Sequence, residues 1–293
     1  WISTYQLSMT TRPSVSGGGS TVAFVTLDYD FGIAQTSSTM GSQQQVFGYP
    51  GIFNSVALSP DATKFACIAR NSTTGIPESK LYLGNLSNNT TEVIDLNVPT
   101  IDGVSSKPFT AVDEIDFSPD GTLLAFDGFS STTLSDGTTL SSWSIYIINL
   151  RTKAIYSLLQ QLPGVTVRRP SFSRVGACRL AFELIEGSRR YVGAWDLMSG
   201  DWGEVRNDLD VGIGAYPRYS AADDKMTYTG SYYSGGYYPI QAYMRLLADR
   251  VSPDNTQLPT AVQYDGRNGL SYRRGIFNGP PLVTVAALNP SVK

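Results

Sequence analysis

One short phrase recurs six times along this chain, and it limits the fold more than any other feature. Each copy has a hydrophobic residue, a serine, a tight turn and a second apolar run, as in "LSPDATKFAC" and "FSPDGTLLAF". The serines follow one another about every fifty residues, at Ser16, Ser59, Ser118, Ser173, Ser220 and Ser271. A repeat of this length is one supersecondary unit that cannot bury its faces alone, so neighbouring copies must stack.

Most copies have the pattern of four antiparallel strands. In the third copy, Asp120 and Gly121 suit a tight turn, because Asp bonds nearby backbone amides and Gly adopts positive φ. The runs "TLLAF", "SIYIINL" and "KAIYSLL" that follow are short and rich in β-branched or aromatic residues, as strands are. Four such strands per repeat predict a propeller blade. We therefore predict an all-β fold, a β-propeller of six four-stranded blades.

The repeats span the sequence as a single predicted domain, residues 1–293. The copies start near residues 12, 54, 113, 168, 215 and 267. The last copy lacks outer strands after "VTVAAL", so we expect residues 1–10 to complete that blade and close the ring. The alternatives are a truncated ring or a propeller cut from a longer protein.

Copies two to four resemble TolB-type, WD-repeat-like propeller repeats. The resemblance is carried by "LSPDATKFAC", by "FSPDGTLLAF" with "SIYIINLRTKAIYSL", and by "RRPSFSRVGACRLAF" with "YVGAWDLMSGDW". It fades in the first and last copies. The resemblance implies six blades and a role as a protein-interaction platform in a cell envelope.

Composition excludes several classes of function. The chain has no histidine, which removes Ser-His-Asp triads, His-ligated zinc and histidine bases. A net charge of -3 opposes binding to nucleic acid or an anionic membrane, and no apolar run is long enough to span a bilayer. Cys67 and Cys178 are expected to be free thiols. We predict no cofactor.

Several features favour an extracytoplasmic protein, whether periplasmic, secreted or at the cell surface. Charged residues make up only 16% of the chain, and Ser, Thr, Gly, Asn and Tyr are abundant. The first residue is Trp, which is expected of a processed, exported chain or of a cut one. Asn-x-Ser/Thr triplets, the acceptor pattern for N-glycosylation, begin at Asn71, Asn85, Asn88 and Asn89.

Candidate catalytic and metal-binding residues are acidic. A glycosidase needs only two carboxylates, which Asp113, Glu114, Asp116 and Glu183 could supply. Ion pairing or exposure to solvent is the favoured role of these acids, and the repeated serine is interpreted as a turn residue because a nucleophile is needed once. The D-x-D-x-G motifs that begin at Asp28 and Asp208 resemble the first half of a calcium-binding loop but lack its later ligands. No metal is therefore predicted at Asp28, Asp30, Asp208 or Asp210.

Candidate ligand-binding residues are arginines and tyrosines. Arg12, Arg169 and Arg267 stand four positions before a repeated serine, where the innermost strands should begin, and Arg168 is adjacent. They could hold a carboxylate or acidic sugar. The favoured alternative is that they pair with Glu114, Asp113 and Asp116. Rings suited to sugar or protein contact occur in "GSYYSGGYYPIQAY", at Tyr232, Tyr233, Tyr237 and Tyr238.

The sequence thus predicts a non-catalytic binding or assembly module that presents a propeller face to a protein partner. The first alternative is a carbohydrate-binding, lectin-like propeller. The second is a glycan-active enzyme that works without histidine.

Overall fold

The repeats form separate antiparallel sheets. The computed structural model of the protein describes residues 12–26, 29–35, 44–47, 52–71, 73–98, 100–101, 104–105, 108–133, 136–158, 161, 163–175, 179–197, 202–206, 215–219, 223, 225–231, 240–246, 255–257, 270–272 and 283–285. Strands and turns make up this part of the chain, and no helix in it could cross a membrane.

Among the described residues, five sheets have four strands each, and in every one the strands lie side by side in chain order. The first two sheets contain β1 (Ser14–Val15), β2 (Thr21–Val25), β3 (Phe31–Gln35) and β4 (Gln44–Phe47), then β5 (Ile52–Leu58), β6 (Lys64–Arg70), β7 (Pro77–Asn85) and β8 (Thr90–Asp95). A short pair, β9 (Thr100–Ile101) and β10 (Val104–Ser105), follows them.

The remaining sheets repeat this order. They contain β11 (Ala111–Phe117), β12 (Leu123–Thr133), β13 (Thr139–Asn149) and β14 (Ile155–Ser157); β15 (Val165–Phe172), β16 (Arg179–Glu186), β17 (Arg189–Asp196) and β18 (Trp202–Arg206); and β19 (Ala215–Tyr219), β20 (Lys225–Ser231), β21 (Ile240–Leu246) and β22 (Asn255–Gln257). The sixth repeat contributes the pair β23 (Leu270–Tyr272) and β24 (Val283–Val285).

The hydrophobic core lies between neighbouring sheets. One cluster joins the first and second sheets, another the second and third, and another the third and fourth. In the last of these, Ala125 and Ile145 of the third sheet pack with Phe172 and Phe182 of the fourth. The first four sheets therefore pack against one another in succession, as the repeat pattern requires.

The first strands of successive sheets, here called the inner strands, also contact one another: β1 contacts β5, β5 contacts β11, β11 contacts β15, and β15 contacts β19. We call the face at which β5, β11, β15 and β19 begin the mouth face. The opposite face, which carries the serine turns, is the turn face. The inner strands are longer than the sequence pattern suggested, because they extend well before the residue that precedes the serine.

The repeated serine is a structural residue of the turn. The Ser118 hydroxyl donates to Asp120 at 2.6 Å and accepts the backbone N–H of Leu123 at 2.9 Å. Ser59 makes the same bonds to Asp61 and Lys64, at 2.6 and 2.9 Å. Ser118 is only 1% exposed. These bonds tie the inner strand to the next strand, which explains why the serine recurs.

The serine turns of the second and third sheets differ in backbone strain at one position, which is Ala62 in the second sheet and Gly121 in the third. Gly121 has a φ of 66°, and Ala62, at the equivalent position, has a φ of 57°. Positive φ is unfavourable for a residue with a Cβ. We expect Ala62→Gly to raise the free energy of unfolding by about 1 kcal/mol and Gly121→Ala to lower it by about 1 kcal/mol. Urea denaturation of both variants tests this, and effects of the same sign would contradict it.

Candidate functional site at the mouth face

Each of the inner strands β5, β11, β15 and β19 has an irregularity near its beginning. The pairing with the second strand shifts register between Phe53 and Ser55, Val112 and Ile115, Arg168 and Ser171, and Ala215 and Arg218. A bulge redirects side chains out of the regular alternation, and bulges are frequent next to functional sites. Here they bring charged residues of different sheets together.

This charged cluster consists of five arginines and five acids, namely Arg12, Arg168, Arg169, Arg174, Arg218, Asp113, Glu114, Asp116, Asp127 and Glu183. Burying such groups is unfavourable unless they are paired and hydrogen-bonded. The cluster contains three of the four arginines that the sequence nominated, Arg12, Arg168 and Arg169, and the predicted pairing with Glu114 and Asp113 is present.

Arg12 reaches across the inner strands. It precedes β1, yet its Nε and Nη2 atoms donate to Glu114 Oε2 in the third sheet, at 3.0 and 2.6 Å. At the equivalent position, the intervening second sheet has the small residue Ser55, which leaves room for this contact. Although burial opposes it, Arg12 holds the pKa of Glu114 below its usual value. The pair links two sheets that are not neighbours.

Arg168 is the most exposed arginine of the cluster. It pairs with Asp113, and its Nε donates to Asp127 Oδ2 at 3.3 Å. Its guanidinium carbon lies 4.0 Å from the centre of the Trp143 ring, a cation–π distance. The side chains of Arg168 and Asp113 are 19% and 24% exposed, so a ligand at the mouth face could reach them.

Arg169 and Tyr216 occupy equivalent positions in the fourth and fifth sheets, four residues before the repeated serine. Both have positive φ, 55° and 53°, which is strained for residues of this size. The Arg169 guanidinium pairs with Glu183 and lies 4.1 Å from the centre of the Tyr216 ring. Although burial opposes it, Glu183 raises the pKa of Arg169 above its usual value.

Asp116 binds two arginines from different sheets. Its Oδ2 accepts Arg218 Nη1 at 3.2 Å and the backbone N–H of Phe172 at 2.9 Å, and Arg174 approaches both oxygens at 3.4 Å. Burial, followed by the charge of Arg12, lowers the pKa of Arg218 to about 9. Positive charge is therefore crowded around this part of the cluster.

Asp127 holds two of the bulges. Its Oδ1 accepts the backbone N–H of Glu114 at 2.6 Å, and its Oδ2 accepts that of Arg169 at 3.0 Å. Burial raises the pKa of Asp127 to about 6, and the charge of Arg168 only partly offsets this. The side chain is 0% exposed, which gives it a role in positioning the two bulges and no access to substrate.

The structure brings together part of the residue set predicted from sequence. Arg12, Arg168 and Arg169 lie in the cluster with Asp113, Glu114, Asp116 and Glu183. Arg267, the four tyrosines Tyr232, Tyr233, Tyr237 and Tyr238, the acids Asp28, Asp208 and Asp210, Cys178 and residues 1–10 lie outside the described residues. Cys67 is buried within β6 and is a free thiol.

Asp30 is described, and its backbone N–H donates to Thr26 Oγ1 at 3.1 Å, an ordinary turn contact. Within the described part of the chain, no three acidic or cysteine side chains converge in a way that could hold a metal ion.

Sequence reasoning missed Asp127, Arg218, Tyr216 and Trp143. Two of these, Asp127 and Arg218, could have been recognised from the sequence. Asp127 follows Ala-Phe in the third copy as Glu183 does in the fourth, and a charge inside an apolar strand run is unusual unless it is paired. Arg218 stands two positions before its serine, as Asp116 does. This shared position would have suggested that the two side chains lie at the same height along the inner strands.

Comparison with solved structures defines the class of protein. A structure of TolB from Acinetobacter baumannii is 18% identical over 84% of this chain and 54% of TolB, with a TM-score of 0.54. Oligogalacturonate lyase from Vibrio parahaemolyticus is 12% identical over 95% of this chain and 77% of the lyase, with a TM-score of 0.57. Hydrazine synthase from Kuenenia stuttgartiensis is 13% identical over 92% and 72%, with a TM-score of 0.56.

These structural similarities show a shared fold: the chain is an all-β protein with a β-propeller fold. No known family and no curated protein matches the sequence. The similar structures include a lyase, a synthase and TolB, so the fold alone does not specify a function.

Proposed function

We propose that this protein is a non-catalytic binding propeller that receives a partner protein on its mouth face, outside the cytoplasm. One observation carries the proposal: the carboxylates nominated for catalysis are bound by arginines. Glu183 and Asp116 are 0% and 1% exposed, and each is held by a guanidinium. An acid in such a position stabilises the inner strands and is poorly placed to reach a substrate.

The mouth face offers the features of a binding surface. Arg168 and Asp113 are partly exposed, and the Trp143 ring lies beside them. The hairpin of β12 and β13 projects past the beginning of β11, since Ala111 pairs with Phe129 and the two long strands continue to Thr133 and Thr139. Arginine and aromatic side chains around a pocket are typical of residues that dominate binding energy.

The tyrosine segment lies in the sequence between two strands whose adjoining ends are at the mouth face. It connects Ser231, the last residue of β20, to Ile240, the first of β21, and these strand ends lie where β19 begins. We extend the proposed surface to Tyr232, Tyr233, Tyr237 and Tyr238, and we retain the six-bladed ring over residues 1–293 as part of the proposal.

A matched pair of variants tests which face binds. Ile76 lies between β6 and β7 on the mouth face and is 51% exposed, and Val175 lies between β15 and β16 on the turn face and is 56% exposed. We expect Ile76→Lys to weaken capture of a partner from an extract of the source cells at least tenfold, and Val175→Lys to leave it unchanged. Loss of capture with Val175→Lys alone would place the surface on the turn face.

The stacking of Arg168 on Trp143 also favours a second candidate, a carbohydrate-binding propeller, because aromatic rings and arginines are suited to sugar rings and their acidic groups. A glycan array probed with the wild-type protein and with Trp143→Ala distinguishes the two. Signals that disappear with Trp143→Ala support the carbohydrate-binding role, and a blank array with intact protein capture excludes it.

A further inference from the structure

Two guanidinium groups of the charged cluster have an unused donor. Arg12 donates to Glu114 through Nε and Nη2, and its Nη1 has no hydrogen-bond partner among the described residues. Arg169 uses Nη1 for Glu183, and its Nε is likewise without a partner there. The Arg12 side chain is 2% exposed. A buried charged donor left without an acceptor is unfavourable, so these two call for an explanation.

Both donors belong to the same region. The guanidinium carbons of Arg12 and Arg169 lie 5.5 and 4.1 Å from the centre of the Tyr216 ring. Arg169 and Tyr216 both have positive φ, which orients the side chains of these two residues toward each other. Such backbone strain is commonly found at ligand-binding positions. Arg169 and Tyr216 are half-buried, so solvent reaches part of this region.

Several arginines of the charged cluster share a carboxylate, although the cluster as a whole has five arginines and five acids. Asp116 binds both Arg218 and Arg174, and Glu183 pairs with Arg169. Arg190, which is more exposed, also approaches Glu183. A further carboxylate would supply acceptors for the two unused donors.

We infer that a carboxylate binds beside Tyr216 and accepts hydrogen bonds from Arg12 Nη1 and Arg169 Nε. The two oxygens of a carboxylate match two donors on separate arginines. The inference rests on the proposed binding function, because it names the chemical group that a ligand would present. The carboxylate is either that of a small free acid or one carried on a sugar.

Thermal unfolding and calorimetry with two probes test the inference. Sodium acetate replaces sodium chloride at constant ionic strength and neutral pH. In a second series, sodium glucuronate is compared with sodium acetate plus glucose. We expect acetate to raise Tm in a saturating manner, by about 2 °C or more. A larger rise at lower concentration with glucuronate identifies a sugar acid, whereas equal responses identify a small free acid.

The variants make the test specific. Arg169→Lys keeps a positive charge for Glu183 but removes the Nε donor, and we expect it to lose at least tenfold in acetate affinity by calorimetry at 25 °C. Arg179→Lys is the control, since Arg179 pairs with Asp196 outside the cluster. If Arg169→Lys does not fold, Arg12→Lys takes its place.

Two results would overturn the inference: no response to either acid beyond chloride, or a lysine variant that responds like wild type. Because partner capture by the Ile76 and Val175 variants is measured separately, a negative acetate result leaves the proposed function standing. Conversely, acetate binding combined with capture that is insensitive to Ile76→Lys would contradict the proposed function alone.

Discussion

Replacing Asp116 with asparagine is expected to lower the free energy of unfolding by about 3 kcal/mol or more. The carboxylate is buried and binds Arg218, Arg174 and the backbone N–H of Phe172. Asparagine has nearly the same shape, but its neutral amide removes the negative charge that Asp116 places beside Arg218, whose side chain is 6% exposed. Removing one partner of a buried ion pair is far more destabilising than removing the pair.

The matched control for Asp116 is Glu92→Gln. Glu92 accepts from Lys153 at 2.7 Å, but the two side chains are 55% and 34% exposed. Exposed ion pairs contribute little, so we expect a loss of about 0.5 kcal/mol or less. Urea denaturation of both variants provides the comparison. Equal losses would mean that the cluster does not depend on charge pairing and that the arginines are available to ligands.

Truncating Phe182 to alanine is expected to lower the free energy of unfolding by about 3–5 kcal/mol. Phe182 is 0% exposed and packs in the cluster between the third and fourth sheets. Its ring lies over Gly193 on β17, where a Cβ would approach the ring to 2.5 Å. The cavity left by the ring cannot be filled from this glycine side, so the two sheets lose much of their contact.

Tyr156→Ala serves as the control for Phe182, because Tyr156 is 49% exposed on the outermost strand of the third sheet, β14. We expect a loss of about 0.5 kcal/mol or less for this variant. Thermal and urea unfolding distinguish the two. A loss below about 1 kcal/mol for Phe182→Ala would show that neighbouring sheets do not depend on this interface for stability.

Much of the fold was predictable from local patterns. The recurrence of serine, turn and apolar run specified where each inner strand ends and the next begins, because these contacts form within a few residues, as Ser118, Asp120 and Leu123 show. The third and fourth strands followed from apolar runs of strand length. The register shifts were not predictable, since no residue type marks them.

The candidate site was predictable only in part. Counting back from the serine identified Arg12 and Arg169, and the favoured pairing with Glu114 and Asp113 is confirmed for Arg12 and Arg168. The pairing of Asp116 with Arg218 was missed, although both stand two residues before a repeated serine, because this shared position does not specify which sheets bring their side chains together. The cation–π contacts of Trp143 and Tyr216 were missed for the same reason.

The sequence alone thus determined the repeating unit, its strands and its turns, because backbone hydrogen bonds and apolar periodicity act over short distances. The tertiary structure decided which charges meet. That choice depends on bulges in four inner strands and on the stacking of sheets, which set distances of a few ångströms between residues far apart in the chain. The unused donors of Arg12 and Arg169 became visible only at that level.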